Sequence, residues 1–205
     1  MKLFSRIGKS NSSNQPIIIV SGLPRSGTSM MMGMLAEGGL PILTDEFRRP
    51  DDDNPNGYFE LEVVRQVKEG NVAWLNDANG KVVKVISSLL EYLPKEYQYK
   101  IIFMERDSKE TLASQKRMLD HRGHESRLSD EEMEQQFHQH LAAMKPWLVR
   151  QPNMDVLYVN YNALMAEPEL YCDRITEFLG LPLNQAQMLA VPDKQLYRNR
   201  AASEK

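Results

Sequence analysis

Ile17–Ser29 reads IIIVSGLPRSGTS, and its reading decides the fold. Ile17 to Val20 are β-branched and apolar without a break, the composition of a short strand buried on both faces. A loop opened by Gly22 and closed by Gly27 follows, and Thr28–Leu35 then reads as a helix. Strand, glycine-bounded loop and helix together make a phosphate cradle. Glycines let the backbone N–H groups turn inward, and the new helix adds its positive end. The same punctuation also fits a strand–turn–helix that holds nothing.

The spacing Gly22-x4-Gly27-Thr28-Ser29 is nearly a Walker A loop, differing from it at one position. A nucleotide triphosphatase carries lysine directly after the second glycine; here that position is Thr28, and the loop's fixed cation is Arg25, inside it. The cradle therefore suits a phosphate but lacks the usual lysine for a γ-phosphate.

Working outward, strands and helices alternate. After a methionine-rich helix (Met30, Met31, Met32, Met34) closed by Gly38-Gly39, Leu40–Leu43 is extended. Thr44–Gly57 is polar and turn-rich, and Asp51, Asp52 and Asp53 within it read as a solvated charge cluster. From Tyr58-Phe59-Glu60 a helical pattern runs to about Asn76. Lys81–Val85 is a second strand, and Ser87–Leu93 a helical turn. Lys100–Met104 is a third strand, followed by a helix from Ser108, its expected cap, to about Leu119. His121–Ser129 is a charged connector. The capping box Ser129-x-x-Glu132 starts a long helix toward Trp147 and Arg150. Asp155–Val159 is a fourth strand, Tyr161–Met165 turns into a helix, and Pro168 starts another that ends at Gly180. A short helix spans about Asn184–Ala190. This alternation predicts a single three-layer α/β domain at 16–205, mainly parallel and flanked by helices on both faces, behind a polar leader at 1–15. Ligand should sit at the strand carboxyl ends.

Composition narrows the function. The 205 residues carry a formal net charge of -3, which argues against a nucleic-acid wrapper. The single cysteine, Cys172, fits a reducing, cytoplasmic setting and reads as an ordinary helix residue. No apolar run reaches the roughly 20 residues that span a bilayer. The four histidines, His121, His124, His138 and His140, lack the convergence that zinc needs, so no metal is expected. Oligomeric state is not legible.

Arg106 ends the third strand and Ser114 stands eight residues later, about two helical turns on. The two can converge on one anion by charge and hydroxyl; equally, Arg106 can be satisfied by Glu105 or Asp107, with Ser114 in solvent.

Three stretches in order now resemble one family. GLPRSGTS resembles the 5′-phosphosulfate loop of sulfotransferases that use 3′-phosphoadenosine 5′-phosphosulfate and release 3′,5′-adenosine bisphosphate. KIIFMERDSKETLASQKRML is similar to their 3′-phosphate element, and YVNYNALMAEPELYCDRITEFLGLP to their third signature. The resemblance implies that Arg25 touches the 5′-phosphate and bridging oxygen. Ser26, Gly27, Thr28 and Ser29 would give N–H groups and hydroxyls, Arg106 and Ser114 would hold the 3′-phosphate, and Tyr161 would meet adenine. Arg198 or Arg200 would stand in for a missing C-terminal Arg-Lys-Gly loop. It departs from the pattern at Asn162-Ala163, where an acidic pair is usual, and at Ile86, where cytosolic members place a histidine base. Glu60, in a segment resembling bacterial sulfotransferase-like proteins, is the expected base. Glu62, Asp45 and a histidine are the fallbacks, and Lys84 faces the sulfonate. The implied acceptor is a hydroxyl or amine of a small molecule or glycan. A P-loop nucleotide or small-molecule kinase and a non-catalytic nucleotide-binding module are the alternatives.

Overall fold

In the computed structural model, which describes residues 15–45, 51, 54, 57–121, 123 and 128–193, the first strand β1 (Ile17–Gly22) is buried along its whole length. It lies inside a four-stranded, all-parallel sheet of order β2-β1-β3-β4, with β2 at Val82–Lys84, β3 at Tyr99–Glu105 and β4 at Met154–Asn160. Being an inner strand with both faces covered explains its unbroken apolar run. Leu40–Leu43 lengthens the outer edge: Ile42 bridges Val82 in parallel, and Leu43 N–H donates to the Val82 carbonyl.

Side chains alternate between the faces of the sheet. Ile18, Val20, Val82, Ile102 and Met104 pack under α1 (Thr28–Glu37), α4 (Tyr161–Ala166), α5 (Pro168–Leu179) and α6 (Gln185–Leu189). Ile17, Ile19, Val83, Ile101 and Phe103 pack under α3 (Asp130–Val149) and three 3-10 segments. Met31, Met32 and Met34 are fully buried, the gap-filling use of a flexible thioether side chain. Lys100 reaches out of β3 to donate to the Phe178 and Leu179 carbonyls, countering the negative end of α5 just before Gly180 turns left-handed at φ 68°. Cys172 is fully buried, and burial pushes its thiol pKa up, away from nucleophilic use.

Two expectations need correcting. The helical pattern from Glu60 to Asn76 is not one α-helix but two 3-10 segments, Glu62–Glu69 and Ala73–Asp77, parted at Gly70 with φ 85°. Val64 and Val67 are the buried pair, and a spacing of three suits the tighter helix; Ser87–Tyr92 is a third such segment. The start of α2 (Ser108–His121) is capped by Asp107, whose Oδ1 accepts from Glu110 N–H at 3.1 Å, while Ser108 instead donates to Glu134 at 2.6 Å. By contrast, Ser129 and Glu132 form the expected reciprocal capping box at α3. Arg198, Arg200, His124, Asp52 and Asp53 lie outside the described residues.

The strand order fixes where a ligand fits. From β1 the chain moves outward to β2, then returns past β1 to β3, so the connections diverge between β1 and β3. An open parallel sheet has its crevice at such a switch point, beyond the strand carboxyl ends.

Candidate functional site

Residues 23–27 leave β1 at this crevice. Gly22, at φ 145°, passes so near β3 that a Cβ there would come 2.5 Å from the Met104 carbonyl. Gly27, at φ 98°, lies against the Tyr161 ring, 2.4 Å from where its Cβ would be. Both positions need glycine for space and for backbone sign. Arg25 is itself left-handed, at φ 69°. Ser26 N–H and Oγ both donate to the Leu23 carbonyl, at 3.2 and 2.7 Å. The donors expected from Ser26 therefore close the loop rather than face outward. The first intrahelical bond of α1 runs from Met31 N–H to the Gly27 carbonyl, leaving the N–H groups of Thr28, Ser29 and Met30 as the helix's positive end.

Across the crevice the two halves meet. Arg25 Nε donates to Ser114 Oγ at 3.0 Å, although 89 positions separate them. Arg106 Nη1 donates to the Arg25 carbonyl at 3.4 Å, and its guanidinium lies 4.5 Å above the Tyr161 ring centroid. Ser114 is buried rather than solvated. The carboxylate partner of Arg106 is neither Glu105 nor Asp107 but Glu110, one turn along α2: Nε to Oε2 is 3.0 Å, with side chains 8% and 2% exposed. Glu110 Oε1 also accepts from Asn162 Nδ2 at 3.0 Å, so one carboxylate ties the end of β3 to the start of α4. Burial pushes the Tyr161 phenol pKa above its usual value and Glu110 adds to this, whereas Arg106 and Arg25 pull it down.

A second cluster sits at the other end of the loop. Lys84 Nζ donates to Ser29 Oγ at 3.0 Å and to the Tyr58 carbonyl at 2.9 Å, and lies 4.0 Å from Glu60 Oε1. Lys84 is thus a half-buried strand-end cation turned toward the loop, not a solvated edge lysine. Glu60 Oε2 also pairs with Arg65 at 3.2 Å. Phe59 precedes Glu60 at φ 51°, a strained value for a bulky residue, and turns the chain into the site. Asp45 and Glu62 are joined by a 2.6 Å bond from Glu62 N–H to Asp45 Oδ2, and Asp45 N–H donates to the Glu60 carbonyl at 3.4 Å. Among the described residues no group of three His, Cys, Asp or Glu side chains is placed to hold a metal.

A model described as the sulfotransferase family matches residues 56–185, more than half of the chain. The chain belongs to the sulfotransferase family. Its fold is similar to the crystal structure of mouse sulfotransferase SULT7A1 complexed with PAP, with TM-score 0.58, 18% identity, and coverage of 93% of this chain and 68% of that one. The sulfotransferase domain of the curacin biosynthetic pathway follows with TM-score 0.52, 16% identity and coverage of 89% and 79%. That of the Synechococcus PCC 7002 olefin synthase has TM-score 0.52, 15% identity and coverage of 100% and 94%. None of the curated proteins matches the chain significantly. No helix among the described residues is long and apolar enough to cross a membrane.

Sequence reasoning missed Glu110, Asn162 and Arg65 as partners. The i,i+4 spacing of Arg106 and Glu110 carried a signal. Arg65 stands three residues after Glu62 and five after Glu60, so its spacing carried a weaker one; Asn162 meets Glu110 across 52 positions, and nothing local announced that contact.

Proposed function

We propose that the chain transfers a sulfuryl group from 3′-phosphoadenosine 5′-phosphosulfate to a hydroxyl or amine of an acceptor, a small molecule or a glycan. The observation that carries this reading is the 3.0 Å contact of Arg25 with Ser114, beside Arg106, across the β1/β3 crevice. Two cations, a buried hydroxyl, a helix amino end and an aromatic face suit a nucleotide with an anion at each end of its ribose. The close passage of Gly27 against Tyr161 sets the aromatic ring beside the start of α1, where its N–H groups suit an anion.

When bound, the donor supplies an activated sulfuryl group on a phosphate leaving oxygen. Arg106 and Ser114 hold the 3′-phosphate, and for the Tyr161 ring to meet the adenine Arg106 must leave the ring face it covers at 4.5 Å. Arg25 and the N–H groups of Thr28 and Ser29 neutralise the charge that grows on the 5′-phosphate. Arg25 touches Ser114 in this arrangement, so donor binding requires its guanidinium to serve both ends of the site. Lys84, anchored on Ser29, faces the transferred group, and Glu60 beside it takes the acceptor's proton. The helix start and Arg25 do the electrostatic work here, and no residue role calls on a metal.

Calorimetric titration with 3′,5′-adenosine bisphosphate tests this, with ATP–Mg²⁺ as control for the kinase alternative. The bisphosphate should bind, and Arg25→Ala should weaken it by about 1.5–3 kcal/mol, the worth of a charge-assisted contact. Preference for ATP–Mg²⁺, or unchanged affinity in Arg25→Ala, rejects the donor assignment. Transfer of labelled sulfate to an acceptor separates an enzyme from a binding module.

A further inference from the structure

The carboxyl end of β2 holds one more polar contact, which neither cluster uses. Ser87 follows Lys84 by three positions and is 2% exposed. Its Oγ shares a 2.8 Å hydrogen bond with Nε2 of His140, 53 positions later on α3. Leu141, Met144 and Leu148 anchor that stretch of α3 in the core, so the ring is carried on a rigid element. The ring is part exposed, and among the described residues Nδ1 has no hydrogen-bond partner. A buried serine can satisfy itself on a nearby carbonyl, as Ser26 does. Ser87 instead fixes one nitrogen of an imidazole and leaves the other presented.

Ile86 lies between Lys84 and Ser87 in extended backbone, on the side of Lys84 by strand alternation. It is 40% exposed, an apolar side chain left uncovered two residues after Lys84. By the same alternation Ser87 turns to the α3 face, where the 3-10 segment that follows Glu60 also packs, so the end of β2 brings a carboxylate, an apolar side chain and a fixed imidazole to one strand end.

We propose that His140 contacts the acceptor, with Ser87 setting its ring; this rests on the sulfotransferase reading above. The hydrogen bonds form one consistent chain. Ser87 O–H donates to Nε2, which leaves Nδ1–H to donate to a lone pair of the acceptor oxygen, whose own proton goes to Glu60. His140 then orients the nucleophile without binding the donor.

Water is an acceptor that needs no identification. The test measures release of 3′,5′-adenosine bisphosphate by donor hydrolysis, with bisphosphate affinity and thermal unfolding as controls. His140→Ala should slow hydrolysis about tenfold, the loss of one good hydrogen bond, with bisphosphate affinity unchanged. Two substitutions separate function from packing. His140→Asn places an amide near Nδ1, and His140→Gln near Nε2. Asn should recover more hydrolysis, and Gln more thermal stability. Unchanged hydrolysis in His140→Ala overturns the proposal. So does hydrolysis that follows stability, rescued by Gln and not by Asn. A wild-type protein that fails to bind the bisphosphate strikes the donor reading instead, and this inference falls with it. Binding without any hydrolysis makes the chain a binding module and likewise overturns it.

Discussion

The two ends of the glycine loop are built to different standards. On the β3 side, Arg106, Glu110 and Ser114 are buried and hang on a strand end and a capped α-helix. On the β2 side, Glu60 and Arg65 hang on a strained turn and a 3-10 segment, and Arg65 is 61% exposed. Both regions hold an arginine paired with a glutamate, at 3.0 and 3.2 Å. In one, burial makes the pair part of the fold. In the other, water surrounds it and the contact can be remade around different ligands. A nucleotide donor that never varies suits the first kind of site, and an acceptor side that tolerates change suits the second.

The largest effect expected from this contrast belongs to Arg106→Ala. It strands the Glu110 carboxylate in the interior, and breaking such a pair costs about 3–5 kcal/mol. Urea unfolding should show that loss, and calorimetry should show bisphosphate binding gone. Adding Glu110→Gln removes the stranded charge and should restore much of the stability but none of the binding. If both return together, Arg106 serves the fold alone.

Glu60→Gln comes next and acts on chemistry rather than folding. Removing a positioned proton acceptor costs about a hundredfold or more in turnover, while bisphosphate affinity should stay within a factor of about two. Wild-type turnover in Glu60→Gln would leave Glu60 as a tether for Lys84 only.

The contrast also explains what was legible beforehand. The half proposed to hold the donor rests on local patterns: the apolar run before Gly22, the glycine spacing, and Ser114 two turns beyond Arg106. Each is written within one stretch of chain. The acceptor half rests on packing. A spacing of three between Val64 and Val67 serves a 3-10 turn as well as an α-helix, and nothing near Glu60 announces Lys84. Asp107 outcompeted Ser108 as cap because Ser108 had Glu134, distant in sequence, to bond with. The order β2-β1-β3-β4 depends on pairings no periodicity encodes, although alternation alone predicted a parallel sheet.

Raised tyrosines on the sheet offer a smaller, pH-dependent test. Burial lifts Tyr99 well above its usual value of 10.0, and it lifts Tyr158 and Tyr161 as well. The folded state keeps these phenols neutral where the unfolded chain ionises them. Their contribution is therefore full below about pH 10 and is lost as pH rises toward the folded values. Urea midpoints should hold below that point and decline above it. Tyr99→Phe, which removes the hydroxyl that donates to the Pro94 carbonyl, should flatten the decline. A midpoint that falls equally in both proteins would place the alkaline loss elsewhere.

Arg65→Ala is the mildest test and the sharpest counterpart to Arg106→Ala, because the chemistry removed is the same. With Arg65 61% exposed, solvent and salt screen its pairs with Glu60 and Glu62, and stability should change by less than about 1 kcal/mol. Glu60 then keeps Lys84 as its fixed cation at 4.0 Å, so turnover should fall by a few-fold at low salt and approach wild type as salt rises. A large, salt-independent loss would mean that the Glu60 turn is as rigid as the Arg106 pocket, and the division of the site into a fixed donor end and an adaptable acceptor end would not stand.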